Sequence, residues 1–327
     1  MTKITNKEIQ QVCELKSQGM KHRDISQSVF GVRTRASTVH SILSKHYYVQ
    51  EKKAESTHVG AKILTLDIET SPVLGAVWGL WNQNLGLNMI VEDWYVLSWA
   101  AKWAHKEEVM YQDIREHFDG SAQSLIGTGD KDKEILEAMW DLLDEADIIV
   151  TQNGIKFDQK KLFARFLHHG MTPPSSFKHI DTLQIAKKHF AFTSNKLEYM
   201  TDKFCTKYKK KTHAKFAGYT LWQQCLLGNA EAWDEMEEYN IYDVLSLEEL
   251  VWKLAPWAKG LPNLDMYHDG EHNQCYCGAS EWEQDGYAYT NLSKFTKFRC
   301  ASCGAERRDR VNVLPKSKRQ SLKMNVI

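Results

Sequence analysis

Residues Ile63 to Pro72 read ILTLDIETSP. Alternate residues of an extended chain share a face. Leu64, Leu66 and Ile68 therefore form one apolar side, and Ile63, Thr65, Asp67 and Glu69 share the other. Charge inside an apolar run is costly, and two carboxylates on one face repel each other. A divalent cation between them turns that repulsion into binding, because hard cations take oxygen ligands. An incidental Asp-x-Glu at a strand end is the plainer reading of this stretch taken alone.

Outward from this strand the pattern alternates strand and helix. Residues 94–103 (WYVLSWAAKW) and 108–114 (EVMYQDI) are predicted strands, and 119–132 a loop. Lys133 to Glu145 is a predicted helix, 147–153 (DIIVTQN) a buried strand, and Asp158 to His169 a helix closed by Gly170. Helices follow over Ser194 to Phe204 and Asp234 to Leu254, the second with Leu247, Leu250, Val251 and Leu254 on its inward face and Pro256 beyond its end. This order predicts an α/β domain with a mixed sheet and flanking helices.

Two further segments carry carboxylates. In VTQNGIKFDQKKL (150–162) a strand ends, a Gln-Asn-Gly turn follows, and Asp158 opens a helix, where it could also act only as a cap. In EEYNIYDVLSLEEL (237–250), Tyr239 and Asp243 lie four apart on one helical face, which also suits a tyrosine packed beside a surface aspartate. In this order, DIET (67–70), NGIKFD (153–158) and YNIYD (239–243) resemble the three motifs of the DEDD superfamily of 3′–5′ exonucleases. Tyr239 marks the tyrosine subclass, as in the proofreading domains of family B DNA polymerases. HIDTL (179–183), with Asp181, resembles a segment between the second and third motifs.

The resemblance covers about residues 62–255 and implies a ribonuclease-H-like fold. It further implies that Asp67, Glu69, Asp158 and Asp243 hold two Mg2+ or Mn2+ ions. Asp67, Glu69 and Asp243 would bind the ion carrying the attacking water. Asp67 would bridge to the second ion, which Asp158 would hold largely through water. Tyr239 would orient the attacking water, and Asn153 and Phe157 would sit by the 3′-terminal nucleotide. Two such ions about 4 Å apart activate water and stabilise the leaving oxygen. Lys209, Lys210 and Lys211, within the basic run KYKKKTHAK (207–215), could track a phosphate backbone or form a solvated loop.

The N-terminal segment reads as helices alone. Ile9, Val12, Cys13 and Leu15 form one stripe, Gly19 ends that helix, and Asp24–Val29 is a short second helix with Ile25 and Val29 inward. Ser37 can cap a third, with Val39, Ile42 and Leu43 inward. The rhythm resembles a helix-turn-helix of the resolvase or homeodomain-like kind, which implies that Arg33, Arg35, Ser37, Thr38 and His40 face DNA. A three-helix interaction module is the alternative.

Near the other end stand Cys275-x-Cys277-Gly and Cys300-x-x-Cys303-Gly, with aromatic strands between. They resemble the two knuckles of a zinc ribbon, implying one Zn2+ held by Cys275, Cys277, Cys300 and Cys303. The first knuckle is one residue short, so His272 competes with Cys275 as the fourth ligand.

The predicted parts are a helix-turn-helix over 1–50, a linker over 51–61, the exonuclease over 62–258, the ribbon over 268–312 and a basic tail over 313–327. The chain has 42 basic and 42 acidic residues, unevenly spread. Residues 1–62 hold 11 basic against 5 acidic and residues 299–327 hold 8 against 2, leaving 23 against 35 between them. Two basic ends around an acidic body suit a polyanionic partner.

No apolar run of ~18 residues is present, so no membrane partner is expected. The polar start MTKITNKEIQ lacks the apolar stretch of a secretory signal, so none is expected. Seven cysteines, four of them clustered, suit a reducing compartment with one metal cluster. The expected protein is a cytoplasmic exonuclease, of bacterial or phage-infected host origin, that acts on single-stranded or duplex DNA 3′ ends and releases nucleoside monophosphates. Replication or repair proteins are expected as further partners. An RNA-trimming enzyme of the same superfamily and a non-catalytic DNA-binding regulator are the alternatives.

Overall fold

A computed structural model describes residues 4–18, 20, 22–31, 39, 42–43, 60–79, 81, 83–121, 130–208, 215–268, 273–324 and 326. The chain forms two compact units, Met1–Gly60 and Ala61–Ile327. In the first, α1 (Asn6–Ser17) opens with a capping box. The Thr5 hydroxyl accepts from the Glu8 N–H at 3.3 Å, and the Thr5 N–H donates to Glu8 Oε2 at 2.7 Å. With α2 (His22–Phe30) it encloses a small core of Val12, Ile25, Val39, Ile42 and Leu43. Arg33, Arg35, Ser37, Thr38 and His40 lie outside the described residues.

The second unit begins with β1 (Ile63–Thr70), the short pair β2 (Leu74–Gly75) and β3 (Ile90–Glu92), then β4 (Val96–Trp103) and β5 (Met110–Asp113). Next come α3 (Lys133–Glu145), β6 (Ile148–Thr151), α4 (Asp158–His168), β7 (Lys178–Asp181) and α5 (Thr182–His189). They are followed by α6 (Leu197–Phe204), α7 (Thr220–Leu226) and the long α8 (Ala230–Leu254). The chain closes with β8 (Trp282–Tyr289), β9 (Lys294–Cys300), β10 (Glu306–Asn312) and α9 (Lys316–Ser321).

Five strands make a mixed sheet in the order β5-β4-β1-β6-β7, with β1 antiparallel to β4 and parallel to β6. The two faces of β1 enter two cores, as its alternation requires. Leu64, Leu66 and Ile68 pack with Leu136 and Met139 of α3, Leu162 and Phe166 of α4, and Trp233 and Met236 of α8. Ile63 packs with Ile148, Ile180, Met200 and the Leu247–Leu254 stripe of α8. The long helix thus serves one core with its start and the other with its end, and Asp243 lies between.

Several boundaries differ from the sequence pattern. α8 starts at Ala230 rather than Asp234, because the Asn229 side chain accepts from the Glu231 N–H at 3.1 Å. The helix expected from Ser194 begins at Leu197. Strands β8 to β10 lie within the second compact unit, Ala61–Ile327. Tyr276 packs against Trp252 of α8 and donates its hydroxyl to the Pro262 carbonyl at 2.5 Å, and Arg307 pairs with Asp265 at 3.1 Å.

Candidate active site

The turn after β6 is built by local chemistry. Asn153 has φ of 68°, a left-handed conformation that asparagine tolerates better than most residues. Gly154 follows because a Cβ there would lie 2.2 Å from Thr151 Oγ1. Asp181 fastens the turn from β7, accepting from the N–H groups of Asn153 (3.0 Å) and Ile155 (3.3 Å) while capping α5 through Leu183 N–H (3.0 Å). The HIDTL segment thus shapes the loop that delivers Asp158.

Asp158 is not a helix cap. Phe157 is the N-cap residue of α4, and the Asp158 carboxylate instead accepts from the Ile68 N–H at 3.2 Å. The paired stretch between β1 and β6 ends at Thr65, so this side chain satisfies a strand N–H beyond the last paired residue. Burial pushes the Asp158 carboxyl up to about 7. The nearby Asp181 pushes in the same direction, against the pull of the N–H groups.

Asp67 and Glu69 of β1 and Asp243 of α8 bring carboxylate oxygens within 4.8 Å of one another. Opposite them in β4 stand the small residues Ala100 and Ser98. Asp67, Glu69, Asp158, Asp243, Tyr239, Asn153 and Phe157 all line one cavity of about 620 Å³. Asp158 stands outside the close triplet of carboxylates. The Tyr239 ring meets Trp222 edge-on at 6.2 Å. Lys209, Lys210 and Lys211 lie outside the described residues.

Sequence reading missed several groups here. Asn240, fully buried, donates from Nδ2 to Asp67 Oδ2 at 2.7 Å and accepts from Ser98 Oγ at 3.2 Å. It sits between Tyr239 and Asp243 in a motif quoted for its other members, so only the fold exposes its role. Gln152, Asn195 and Lys196 also line the cavity.

The four sulfurs of Cys275, Cys277, Cys300 and Cys303 also gather within 4.8 Å of one another, with Cys275–Cys303 at 3.5 Å and Cys277–Cys300 at 3.7 Å. The two turns share one design at two lengths. In the first, Gly278 N–H closes on Cys275 O and Cys275 N–H on Ala279 O. In the second, Gly304 N–H closes on Cys300 O and Cys300 N–H on Ala305 O, one residue further each time. The missing residue in the first turn therefore does not displace Cys275 from the cluster. His272 lies outside the described residues. Burial pushes the Cys275 thiol up to about 12. Burial also opposes ionisation of Cys300, but the Cys303 and Ser302 N–H groups together with the Cys277 and Cys303 thiols outweigh it and hold that thiol down at about 7.

Residues 109–255 match the RNase_H_2 family of the RNase_H superfamily. No curated protein matches the sequence. Among solved structures the chain is similar to the family B DNA polymerase from the hyperthermophilic archaeon Pyrobaculum calidifontis, at 14% identity and a TM-score of 0.42. That likeness covers 72% of this chain and 32% of the polymerase, so the chain spans about a third of the polymerase's length. The mixed sheet with its flanking helices is a ribonuclease-H-like fold, and the matched superfamily is one of nucleases. No helix among the described residues is long and apolar enough to cross a membrane.

Proposed function

We propose that this chain is a metal-dependent 3′–5′ exonuclease that acts on DNA and releases nucleoside monophosphates. One observation carries the reading: carboxylates from β1 and α8 converge within 4.8 Å in a cavity that Asp158 and Tyr239 also line. Three carboxylates this close repel unless positive charge joins them, and an all-oxygen donor set suits Mg2+ or Mn2+. Asp67, Glu69 and Asp243 would hold one ion, and Asp67 and Asp158 a second. Such a pair supplies water activation and stabilises the leaving 3′ oxygen.

The chain's own groups do the positioning. Tyr239, one helical turn before Asp243, orients the attacking water through its hydroxyl. Asn153 and Phe157 flank the terminal nucleotide, and the cavity has the size of small-ligand sites generally. Buried Asp158 becomes fully charged at neutral pH only beside positive charge. Four converging thiols suit a structural Zn2+, and the ionisable Cys300 favours it. The N-terminal helices serve as a helix-turn-helix that holds duplex DNA. Replication or repair proteins would bring the enzyme to its ends. None of the seven cysteines is in a disulfide, in keeping with a cytoplasmic setting.

The test is hydrolysis of 5′-labelled single- and double-stranded DNA and RNA, with and without Mn2+. DNA should shorten stepwise from its 3′ end, and Asp243→Asn should abolish this while strand binding survives. Hydrolysis of RNA alone would move the substrate to the rival class. No hydrolysis of any strand in Mn2+ would refute the proposal.

A further inference from the structure

The three-stranded sheet near the C-terminus has two unlike faces. Cross-strand partners share a face, and Tyr287 lies opposite Thr296 while Tyr289 lies opposite Lys294. Both tyrosines therefore stand on one side, 45% and 69% exposed. Lys297 and Arg299 point to the other side, where they pair with Asp285 and Glu306 at 2.7–3.1 Å. Lys294 has no such carboxylate among the described residues. Its ammonium lies 3.6 Å from the Tyr287 ring centre and 5.8 Å from that of Tyr289. Residues 286–327 carry 10 basic and 2 acidic side chains.

We infer that this face binds single-stranded nucleic acid by stacking bases on Tyr287 and Tyr289. Exposed aromatic rings interleaved with cations are the means by which proteins hold single strands without reading their sequence. Lys294, over the Tyr287 ring and within 5.8 Å of the Tyr289 ring centre, sets a cation for phosphate beside both aromatic surfaces. The spacing selects the form of the strand. Residues two apart in a β-strand are about 7 Å apart, twice the 3.4 Å per nucleotide of a duplex strand. Successive bases reach both rings only when the strand is extended. The net basic charge argues for a polyanion over an apolar protein partner. This deepens the nuclease reading, since the sheet would retain the strand being shortened.

The test measures binding apart from turnover. In full-length Asp243→Asn chain, affinity for labelled 20-mers of dT and of rU is determined by anisotropy, alongside an abasic deoxyribose-phosphate 20-mer. Stacking is worth about 1–3 kcal/mol per base by alanine substitution, so Tyr289→Ala should weaken binding of the based strands by about 5- to 150-fold. Tyr287→Ala should act similarly, and neither should affect the abasic strand. Lys294→Met should lower the slope of log affinity against log salt by about 0.7. Strands carrying 5-iodouracil should form light-induced adducts at Tyr287 or Tyr289 in the parent chain, a readout that does not depend on a variant folding. The tighter of dT and rU identifies the preferred sugar. Parental affinity in the double tyrosine variant, equal loss on the abasic strand, or adducts confined to other residues would each overturn the inference. A chain that hydrolyses DNA but gives these results fails here alone. One that binds through the tyrosines but hydrolyses nothing fails only as an exonuclease.

Discussion

Replacing Asn240 by leucine should weaken divalent-metal binding while leaving the chain folded. Asn240 is fully buried, and its amide orientation is set by the Ser98 hydroxyl donating to Oδ1 at 3.2 Å. That leaves Nδ2 directed at Asp67, 2.7 Å from Oδ2 and 3.3 Å from the backbone carbonyl. Leucine keeps the volume and removes the donor. A hydrogen bond to a charged group contributes about 1.5–3 kcal/mol. Loss of a group that orients a metal ligand lowers affinity or activity about 10- to 100-fold, equal to about 1.4–2.7 kcal/mol. The two figures agree, so a 10- to 100-fold loss of Mn2+ affinity is expected. The orphaned Ser98 hydroxyl should cost about 1 kcal/mol of stability in addition. Calorimetric titration with Mn2+, without nucleic acid, reads the affinity, and urea unfolding reads the stability. Ser98→Ala keeps the donor but frees the amide to turn, so its effect on Mn2+ should be smaller. Mn2+ affinity within about twofold of the parent, with stability lowered, would reduce Asn240 to a packing residue and refute the reasoning.

Arg165→Met should cost about 3–5 kcal/mol in urea unfolding, because buried Asp132 loses two guanidinium bonds of 2.7 Å and, among the described residues, keeps the Val96 N–H and His169; a loss below about 1 kcal/mol would mean that water replaces the arginine. Burial pushes His179 down to about 4 from its ordinary 6.5, with Thr151 Oγ1 at 2.7 Å and Gln159 Oε1 at 3.0 Å against its ring. At His179 the folded chain then binds fewer protons than the unfolded one between these values, whereas at Asp158 it binds more. The His179 contribution should be fully present above pH 6.5 and fall towards pH 4, by up to about 1.4 kcal/mol per pH unit; it is read as the difference between the parent and His179→Gln in unfolding free energy at pH 7 and 5, where the Asp158 contribution cancels, and a difference that does not change with pH would refute it. Cys300→Ser should take the zinc content from one per chain to none and open residues 268–312 to protease, with the main sheet intact; an unchanged zinc content would remove Cys300 from the ligand set.

The elements legible in the sequence are those with a sustained period. The β1 strand, helix α3 and the stripe of α8 each repeat long enough for burial to leave a pattern. β7, α5 and α7 are shorter and do not. Thr182–His189 becomes a helix because Asp181 caps it and Ile185 and Ala186 find the core, not because its own sequence demands one. The segment between β2 and β3 carries no charge, yet Trp78 and Trp81 stand 98% and 81% exposed. Composition alone would have buried them.

The carboxylates were legible because each sits where its local pattern makes it anomalous: Asp67 and Glu69 in an apolar strand, Asp158 after a turn, and Asp243 beside an apolar stripe. Strand alternation and helical period are properties of neighbouring residues, so the sequence by itself determined which side chains share a face and which elements carry charge inward. Only the tertiary structure decided which groups meet. Asp158 reaches Ile68 across 90 residues, Asn240 reaches Asp67 across 173, and Cys275 reaches Cys303 by way of a three-stranded sheet. These pairings depend on strand order, and strand order is settled by burying both faces of β1 at once. That is a condition on the whole chain, which no single stretch of it contains.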